Sequence, residues 1–171
     1  MQIDRTAVDD EMSSLSLPNR VGDPPVTGQE PPQLQFSDMS PRDVYQKMAD
    51  WFFSAFAHTR EEPTRISVPT SRALWLDEII KASPAAFMPP PGSREFAHLH
   101  EDGSLHLVMA EEDEREVISK GWGLHHPWKH KGVNEILIFA PRNDEEIEIL
   151  KPVIEASYRF AMREHLDHDT I

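Results

Sequence analysis

The stretch that decides the fold, residues 95–109, reads EFAHLHEDGSLHLVM. Two largely apolar segments flank an Asp-Gly pair, which is the sequence pattern of a β-hairpin. The same stretch places His98, His100 and His106 close together around the turn. The length of the turn determines whether these three side chains share one face of the hairpin.

Two turn lengths are possible. A two-residue loop, Asp102-Gly103, would pair His98 with Leu107 and leave His106 on the opposite face. A three-residue loop that also includes Glu101 would pair His98 with His106, so that all three histidines face the same way. The second register also gathers apolar side chains on the other face: Ala97, Leu99, Leu105, Leu107 and Met109. A buried face that mixes polar and apolar residues is penalised, and we therefore predict the three-residue loop.

The rest of the chain predicts a single α+β domain behind a proline-rich arm. Residues 1–38 show no helical or strand periodicity and are predicted to be an extended or partly disordered arm, followed by a compact domain at 39–171. A first helix is predicted over about 41–57, with Ser40 as its cap, and a second over about 111–121. A third is predicted to begin after a cap at Asn143 or Asp144. Short strands are predicted at 65–68, 72–76 and 134–140. These elements should form a small antiparallel or mixed sheet packed with helices.

Composition narrows the possible functions. The absence of cysteine excludes thiolate metal sites and cysteine nucleophiles. Thirty acidic residues against 17 Lys and Arg give a formal charge of −13, so nucleic acid and membrane surfaces are poor partners. The start of the chain lacks the pattern of a signal peptide, which predicts a cytoplasmic location. No glycine-rich phosphate-binding motif is present, and neither a nucleotide nor a flavin cofactor is indicated.

A second histidine-rich segment, GWGLHHPWKH at 121–130, is predicted to form a loop over the histidine face of the hairpin. The resulting pocket would be a plausible site for a small organic molecule. Its predicted catalytic residues are His98, His100, His106 and His126. Its predicted substrate-binding residues are Phe96, Trp122, His125, Trp128 and Arg94. Arg94, like Arg72, could hold a substrate carboxylate by a bidentate contact.

The sequence allows three interpretations of the histidine cluster. Three imidazoles, with His126 or Glu101 as a further ligand, would suit a divalent transition metal such as zinc, iron, nickel or copper. Without a metal, one histidine could act as a general acid or base beside Asp102 or Glu101. The histidines could also be only the solvated face of the hairpin.

Five segments in order resemble the bacterial and fungal luciferase-domain proteins: SRALWLDE (71–78), AFMPPPGSREFAHLHEDGSLHLVM (86–109), GWGLHHPW (121–128), FAPRNDEEIEIL (139–150) and SYRFA (157–161). The resemblance covers about 65–162 and implies that the histidine- and aromatic-rich segments form a shared pocket. It does not imply the chemistry of the flavin-dependent bacterial luciferase, whose β/α barrel typically needs about 250 residues.

Together these patterns predict a small soluble enzyme that acts on a small organic molecule. Acid-base or metal-assisted chemistry of the lyase, isomerase or hydrolase type would fit such a pocket. The alternative is a non-catalytic module that binds a ligand or a protein partner, with the acidic surface and the proline-rich arm as its contacts.

Overall fold

A computed structural model of the chain describes Ser13 and residues 15–168. The elements follow in the order α1 (Arg42–Phe52), β1 (Thr59–Pro63), β2 (Arg72–Leu76), β3 (Glu95–Leu99), β4 (Leu105–Val108), α2 (Glu111–Ser119), β5 (Gly123–His125), β6 (Glu135–Ile138) and α3 (Asp144–His168). Short 3-10 turns lie at Pro84–Ala86 and Lys129–Lys131. The predicted α+β class is confirmed.

The six strands form one sheet in the order β1-β2-β3-β4-β6-β5, and every neighbouring pair is antiparallel. One face of the sheet carries the apolar side chains of the central strands: Ala97, Leu99, Leu105, Leu107, Ile136 and Ile138. The long helix α3 contacts β3 and β4, and it also contacts α1 and α2. The hydrophobic core therefore lies between the sheet and the three helices.

The opposite face of the sheet carries the histidines, and it is buried as well. His98 and His100 are each 1% exposed and His106 is 3% exposed. The cover is supplied by the arm around Gln33 and by the segment that follows β5. A solvated histidine face is therefore wrong for this hairpin.

Several predicted boundaries differ from the structure. The first helix ends at Phe52, and Ser40 does not cap it, because the Ser40 hydroxyl donates to the carbonyl of Pro141 instead. The predicted strand at 65–68 does not form, since the Thr64 hydroxyl accepts the N–H groups of Ile66 and Ser67 and holds a local turn. The edge strand Thr59–Pro63, which pairs with β2, was not predicted because its sequence TREEP is polar.

The described part of the arm packs against the domain. It contains one isolated bridge, Thr27 with Gln35. Leu15 and Leu17 are buried in the core, and Gln35 accepts the N–H of Ala140. The boundary at residue 38 stays a prediction, and residues 1–12, 14 and 169–171 lie outside the described residues. Among the described residues, no helix has both the length and the apolar character that crossing a bilayer requires.

The predicted cap of α3 is confirmed at Asn143, whose side-chain oxygen accepts the N–H of Glu146 at 2.9 Å. Replacing Asn143 with alanine should lower the free energy of unfolding by about 1 kcal/mol, because an N–H at the start of the helix loses its partner. Urea denaturation would measure this change. Asn143→Ser restores a capping oxygen and should recover most of the loss; equal stability of all three proteins would contradict the assignment.

Candidate functional site

The hairpin has the three-residue loop. His98 pairs with His106 across the strands. Around the turn, the N–H of His100 donates to the carbonyl of Ser104 at 2.8 Å, and the N–H of Gly103 donates to the carbonyl of His100 at 2.9 Å. Gly103 has a φ of 96°, a conformation that favours glycine. The predicted register is confirmed, and all three rings lie on one face.

Three ring nitrogens converge on one point. The Nδ1 atom of His106 lies 3.1 Å from Nε2 of His98 and 3.1 Å from Nε2 of His100. The rings are mutually tilted, with centroids 4.8 to 5.0 Å apart. Whether each of these three inner nitrogens carries a proton or a lone pair depends on the tautomer of its ring.

The outer nitrogens of His98 and His100 both face acceptors. Nδ1 of His98 lies 2.9 Å from Oε1 of Glu95, a carboxylate that can only accept when it is ionised. Nδ1 of His100 lies 2.8 Å from the hydroxyl of Ser104, and that hydroxyl donates to Asp102 Oδ1 at 2.5 Å. Each ring therefore holds its proton on Nδ1 and has a lone pair on the inner Nε2.

The outer nitrogen of His106 faces an acceptor from the arm. Its Nε2 lies 2.9 Å from Oε1 of Gln33, whose amide nitrogen donates to the carbonyl of His125 at 3.1 Å. This second bond fixes which end of the Gln33 amide faces His106. His106 therefore holds its proton on Nε2 and has its lone pair on the inner Nδ1.

Burial keeps the rings of His100 and His106 neutral. The pKa values of His100 and His106 are lowered well below 6.5, chiefly by desolvation and further by the neighbouring histidines. Nδ1 of His106 lies 3.1 Å from Nε2 of His98 and from Nε2 of His100, and lone pairs at this distance repel one another unless a cation lies between them. Neutral imidazoles whose other nitrogens donate to oxygen acceptors are the arrangement in which histidine binds metals.

A β-bulge places Glu95 beneath His98. Leu74 of β2 pairs with Ala97, whereas the next residue, Trp75, pairs with Glu95, so Phe96 is an extra residue on β3. The bulge reverses the alternation of side chains at this end of the strand. Glu95 thus lies on the histidine side, where it also accepts from the Thr64 hydroxyl at 2.9 Å.

Glu135, the first residue of β6, brings a second carboxylate to the cluster. Its Oε1 lies 3.8 Å from Nδ1 of His106 and 3.9 Å from Nε2 of His126. Its Oε2 is buried and has no hydrogen-bond partner in the described part of the chain. Burial raises the pKa of Glu135 to about 6, with His98 opposing the shift and Glu95 adding to it. A buried carboxylate oxygen without a hydrogen-bond partner, beside three imidazole lone pairs, is an arrangement that suits the binding of a cation.

His126 differs from the other three histidines. Its Nδ1 accepts the backbone N–H of Trp128 at 3.0 Å, so the neutral ring carries its proton on Nε2. Burial, and to a lesser extent His98, lowers its pKa. His126 therefore directs an N–H toward Glu135 and cannot bind a metal through Nε2 without losing the bond from Trp128. A second ion between His106, His126 and Glu135 is disfavoured for this reason.

These groups border a cavity of about 140 Å³. His98, His100, His106, His126 and Glu135 form its polar side. Trp128, Val133, Pro89, Ile66 and the arm residues Pro31 and Pro32 form most of the rest. The structure thus brings together the four histidines predicted to be catalytic, and it places Trp128 at the same cavity.

Two of the residues predicted to bind the substrate, Phe96 and Trp122, lie in the core. The bulge turns Phe96 to the helix side of the sheet, where its ring lies 6.4 Å from that of Tyr158. Phe96, which the sequence predicted to bind the substrate, therefore lies on the core side of the sheet and outside the cavity lining. Trp122 is 2% exposed in the core, and its indole N–H donates to the carbonyl of Pro18 at 2.7 Å.

The remaining predicted contacts also lie outside the cavity lining. His125 alternates with His126, so it points to the other side of β5, where Lys129 lies 3.1 Å from its Nδ1. Arg94 donates to the carbonyls of Asp77 and Ile80 at 2.7 and 2.5 Å. Arg72 forms a two-point ion pair with Glu61.

Residues 93–157 match the family model described as Luciferase domain. This segment is similar to the luciferase-domain family. A segment of 71 residues is also 46% identical to the luciferases of Armillaria gallica and Armillaria mellea, and 42% identical to that of Neonothopanus nambi. It covers 37% of this chain and 27% of each fungal protein, so the chain matches about a quarter of their length. No solved structure shows a significant match.

The predicted resemblance is thus confirmed over the segment that contains the cluster. His98, His100, His106, His126, Glu95 and Glu135 all lie within the segment that matches the luciferase-domain model. Gln33, which orients His106, lies outside it.

Proposed function

We propose that this luciferase-domain protein is a metal-dependent enzyme that acts on a small organic molecule. His98, His100 and His106 would bind one divalent transition-metal ion through Nε2, Nε2 and Nδ1. The observation that supports this most strongly is the set of three inward lone pairs, each fixed by an acceptor on the opposite side of its ring.

The spacing of the inner nitrogens supports the same proposal. Zinc binds histidine nitrogen at about 2.0 to 2.1 Å, which puts two ligand nitrogens about 3.0 Å apart at right angles and about 3.4 Å apart at tetrahedral angles. The observed distances of 3.1 Å fall between these values. An ion would thus fit with little movement of the rings.

The other cavity groups have complementary roles in this proposal. Glu135, with its raised pKa, would bind the ion as a fourth ligand or accept a proton from a molecule bound there. His126 would donate its Nε2–H to the bound molecule. The ion would polarise a carbonyl or lower the pKa of bound water, which suits lyase, isomerase or hydrolase chemistry.

A second candidate reaction at the same centre is an oxidation. The matched fungal proteins are named luciferases, and the emission of light by an organic molecule needs an oxidation to supply the energy. A redox-active ion such as iron(II), held by histidines and a carboxylate with open positions, would suit that chemistry. Dioxygen consumption that depends on iron, with no turnover by the zinc form, would favour this candidate over the first.

Turnover measurements test the proposal. Protein stripped with a chelator and reloaded separately with zinc, manganese, iron(II), cobalt(II) or nickel would be incubated with a library of small organic molecules and followed by mass spectrometry. We expect conversion that requires one of these metals and is lost again after chelation. Equal conversion by the metal-free protein would contradict metal-assisted chemistry.

Gln33 should contribute to metal affinity although it lies outside the luciferase domain. Gln33→Met retains the bulk of the side chain but removes the acceptor that holds the proton of His106 on Nε2. The affinity for zinc should fall by about 10-fold, the lower end of the effect of outer hydrogen-bond partners on metal sites. Competition with a chromophoric chelator measures it.

The matched control is Gln35→Met, the same change two positions along the arm. Gln35 is also buried and hydrogen bonded, but it contacts Ala140 rather than a histidine. Its zinc affinity should stay within about two-fold of the wild type. Equal losses in the two variants would show that Gln33 acts only through the packing of the arm.

A further inference from the structure

We propose that a groove outside the histidine cavity binds the apolar body and carboxylate of the substrate, so that the substrate is a small amphipathic carboxylic acid. This inference rests on the proposed function for the identity of the reactive centre. The residues that line the groove are not ligands of the proposed metal centre.

The inner cavity is too small to hold a whole substrate of ordinary size. Its volume is about 140 Å³, whereas sites for small organic molecules usually measure about 300 to 1,000 Å³. The inner cavity can therefore hold the reacting end of such a molecule, and the rest must lie elsewhere.

The outer groove provides this space. Its volume is about 700 Å³, and Pro89 and Val133 line both the groove and the inner cavity. The two spaces are thus adjacent, with these two side chains between them. Further apolar lining comes from Phe87, Met88 and Pro91, which suits a hydrocarbon or aromatic body.

The charge of the groove is opposite to that of the protein. Arg94 and Lys131 line it, and among its described lining residues there is no aspartate or glutamate. The chain as a whole has a formal charge of −13. A cationic, acid-free groove on an acidic protein is complementary to an organic anion.

Arg94 is held in place without a carboxylate partner. Its guanidinium donates to the carbonyls of Asp77 and Ile80 and lies 4.7 Å above the ring of Phe87. The carboxylates of Asp77 and Glu78 are bound by Arg60 instead. Among the described residues, neither Arg94 nor Lys131 forms an ion pair; the Lys131 ammonium lies 4.6 Å from the centroid of the Trp128 ring, so neither charge is neutralised by a carboxylate.

Calorimetry with 4-phenylbutyrate and its uncharged analogue 4-phenylbutan-1-ol tests the charge preference on metal-free protein. The acid should bind at least about 10-fold more tightly than the alcohol, the expected effect of a hydrogen bond to a charged group. Lys131→Glu should reduce that ratio to about one. Lys120→Glu, the same charge change at the end of α2, should leave it unchanged. Equal binding of acid and alcohol by the wild type, or equal effects of the two variants, would overturn the anion assignment.

Cobalt(II)-loaded protein tests the orientation of the ligand. Paramagnetic relaxation of the bound 4-phenylbutyrate should be strongest at the phenyl protons and weakest at the methylene next to the carboxylate. The reverse order would overturn the proposed path from groove to centre. Failure to bind cobalt would contradict the proposed function alone, because the calorimetric preference needs no metal.

Discussion

Replacing His106 with alanine should lower the affinity of the protein for zinc or cobalt(II) by at least about 100-fold. The apparent binding free energy of structural zinc sites is about 10 to 16 kcal/mol, or roughly 3 kcal/mol for each of four ligands, and each 1.4 kcal/mol is a factor of ten. His106 should have at least this effect because its Nδ1 faces both of the other inner nitrogens. Competition with a chromophoric chelator would measure the affinity of each variant.

His125→Ala is the matched control for this change. His125 belongs to the same histidine-rich segment as His126, but its side chain lies beside Lys129 and outside the cavity lining. Its removal should alter zinc affinity by no more than about two-fold. If His106→Ala and His125→Ala bind zinc as tightly as the wild type, the cluster is not a metal centre.

Replacing Gly103 with alanine should lower the free energy of unfolding by about 3 kcal/mol. The φ of 96° disfavours any residue with a Cβ, at a cost of about 1 to 2 kcal/mol. The added Cβ would also lie 2.6 Å from Cβ of Ser40 and in conflict with its Oγ. Ser40 cannot move freely, because its N–H donates to the carbonyl of Asp102. Chemical denaturation followed by circular dichroism would measure the loss.

Gly132→Ala separates the two causes. Gly132 has a similar φ of 89°, but a Cβ there would meet no heavy atom within 4 Å. Gly132→Ala should therefore lower the free energy of unfolding by only about 1 kcal/mol, the cost of the backbone conformation alone. If Gly103→Ala is no more destabilising than Gly132→Ala, the contact between the hairpin turn and Ser40 contributes little to stability.

The hairpin could be predicted from sequence because its information is local. An apolar alternation on both sides of Asp102-Gly103 allowed two registers, and only the three-residue loop separated leucines from histidines. The paired positions His98 and His106 follow directly from that choice. The α+β class and the cap at Asn143 are similarly encoded within a few neighbouring residues.

The carboxylates of the site could not be predicted in the same way. The alternation of β3 places Glu95 on the apolar face, and only the bulge at Phe96, which depends on pairing with β2, reverses it. Glu135 reaches the cluster because β6 pairs with β4, a contact between strands that are not consecutive in the chain. A sequence pattern within one strand contains neither piece of information.

Gln33 was missed for a different reason. It lies 73 positions before His106, in a segment whose prolines and lack of periodicity predicted an extended arm. Its hydrogen bonds to His106 and to the carbonyl of His125 depend on the path of the arm across the sheet. The polar residues that fix the tautomer of a buried histidine can thus come from any part of a chain.

X-ray absorption spectroscopy of the zinc-loaded protein tests the central claim most directly. We predict one zinc ion per chain, with three imidazole nitrogens at about 2.0 to 2.1 Å in its first shell. His98→Ala combined with His106→Ala should abolish that signal. A protein that takes up no stoichiometric zinc, or a zinc shell without imidazole scattering, would contradict the metal centre.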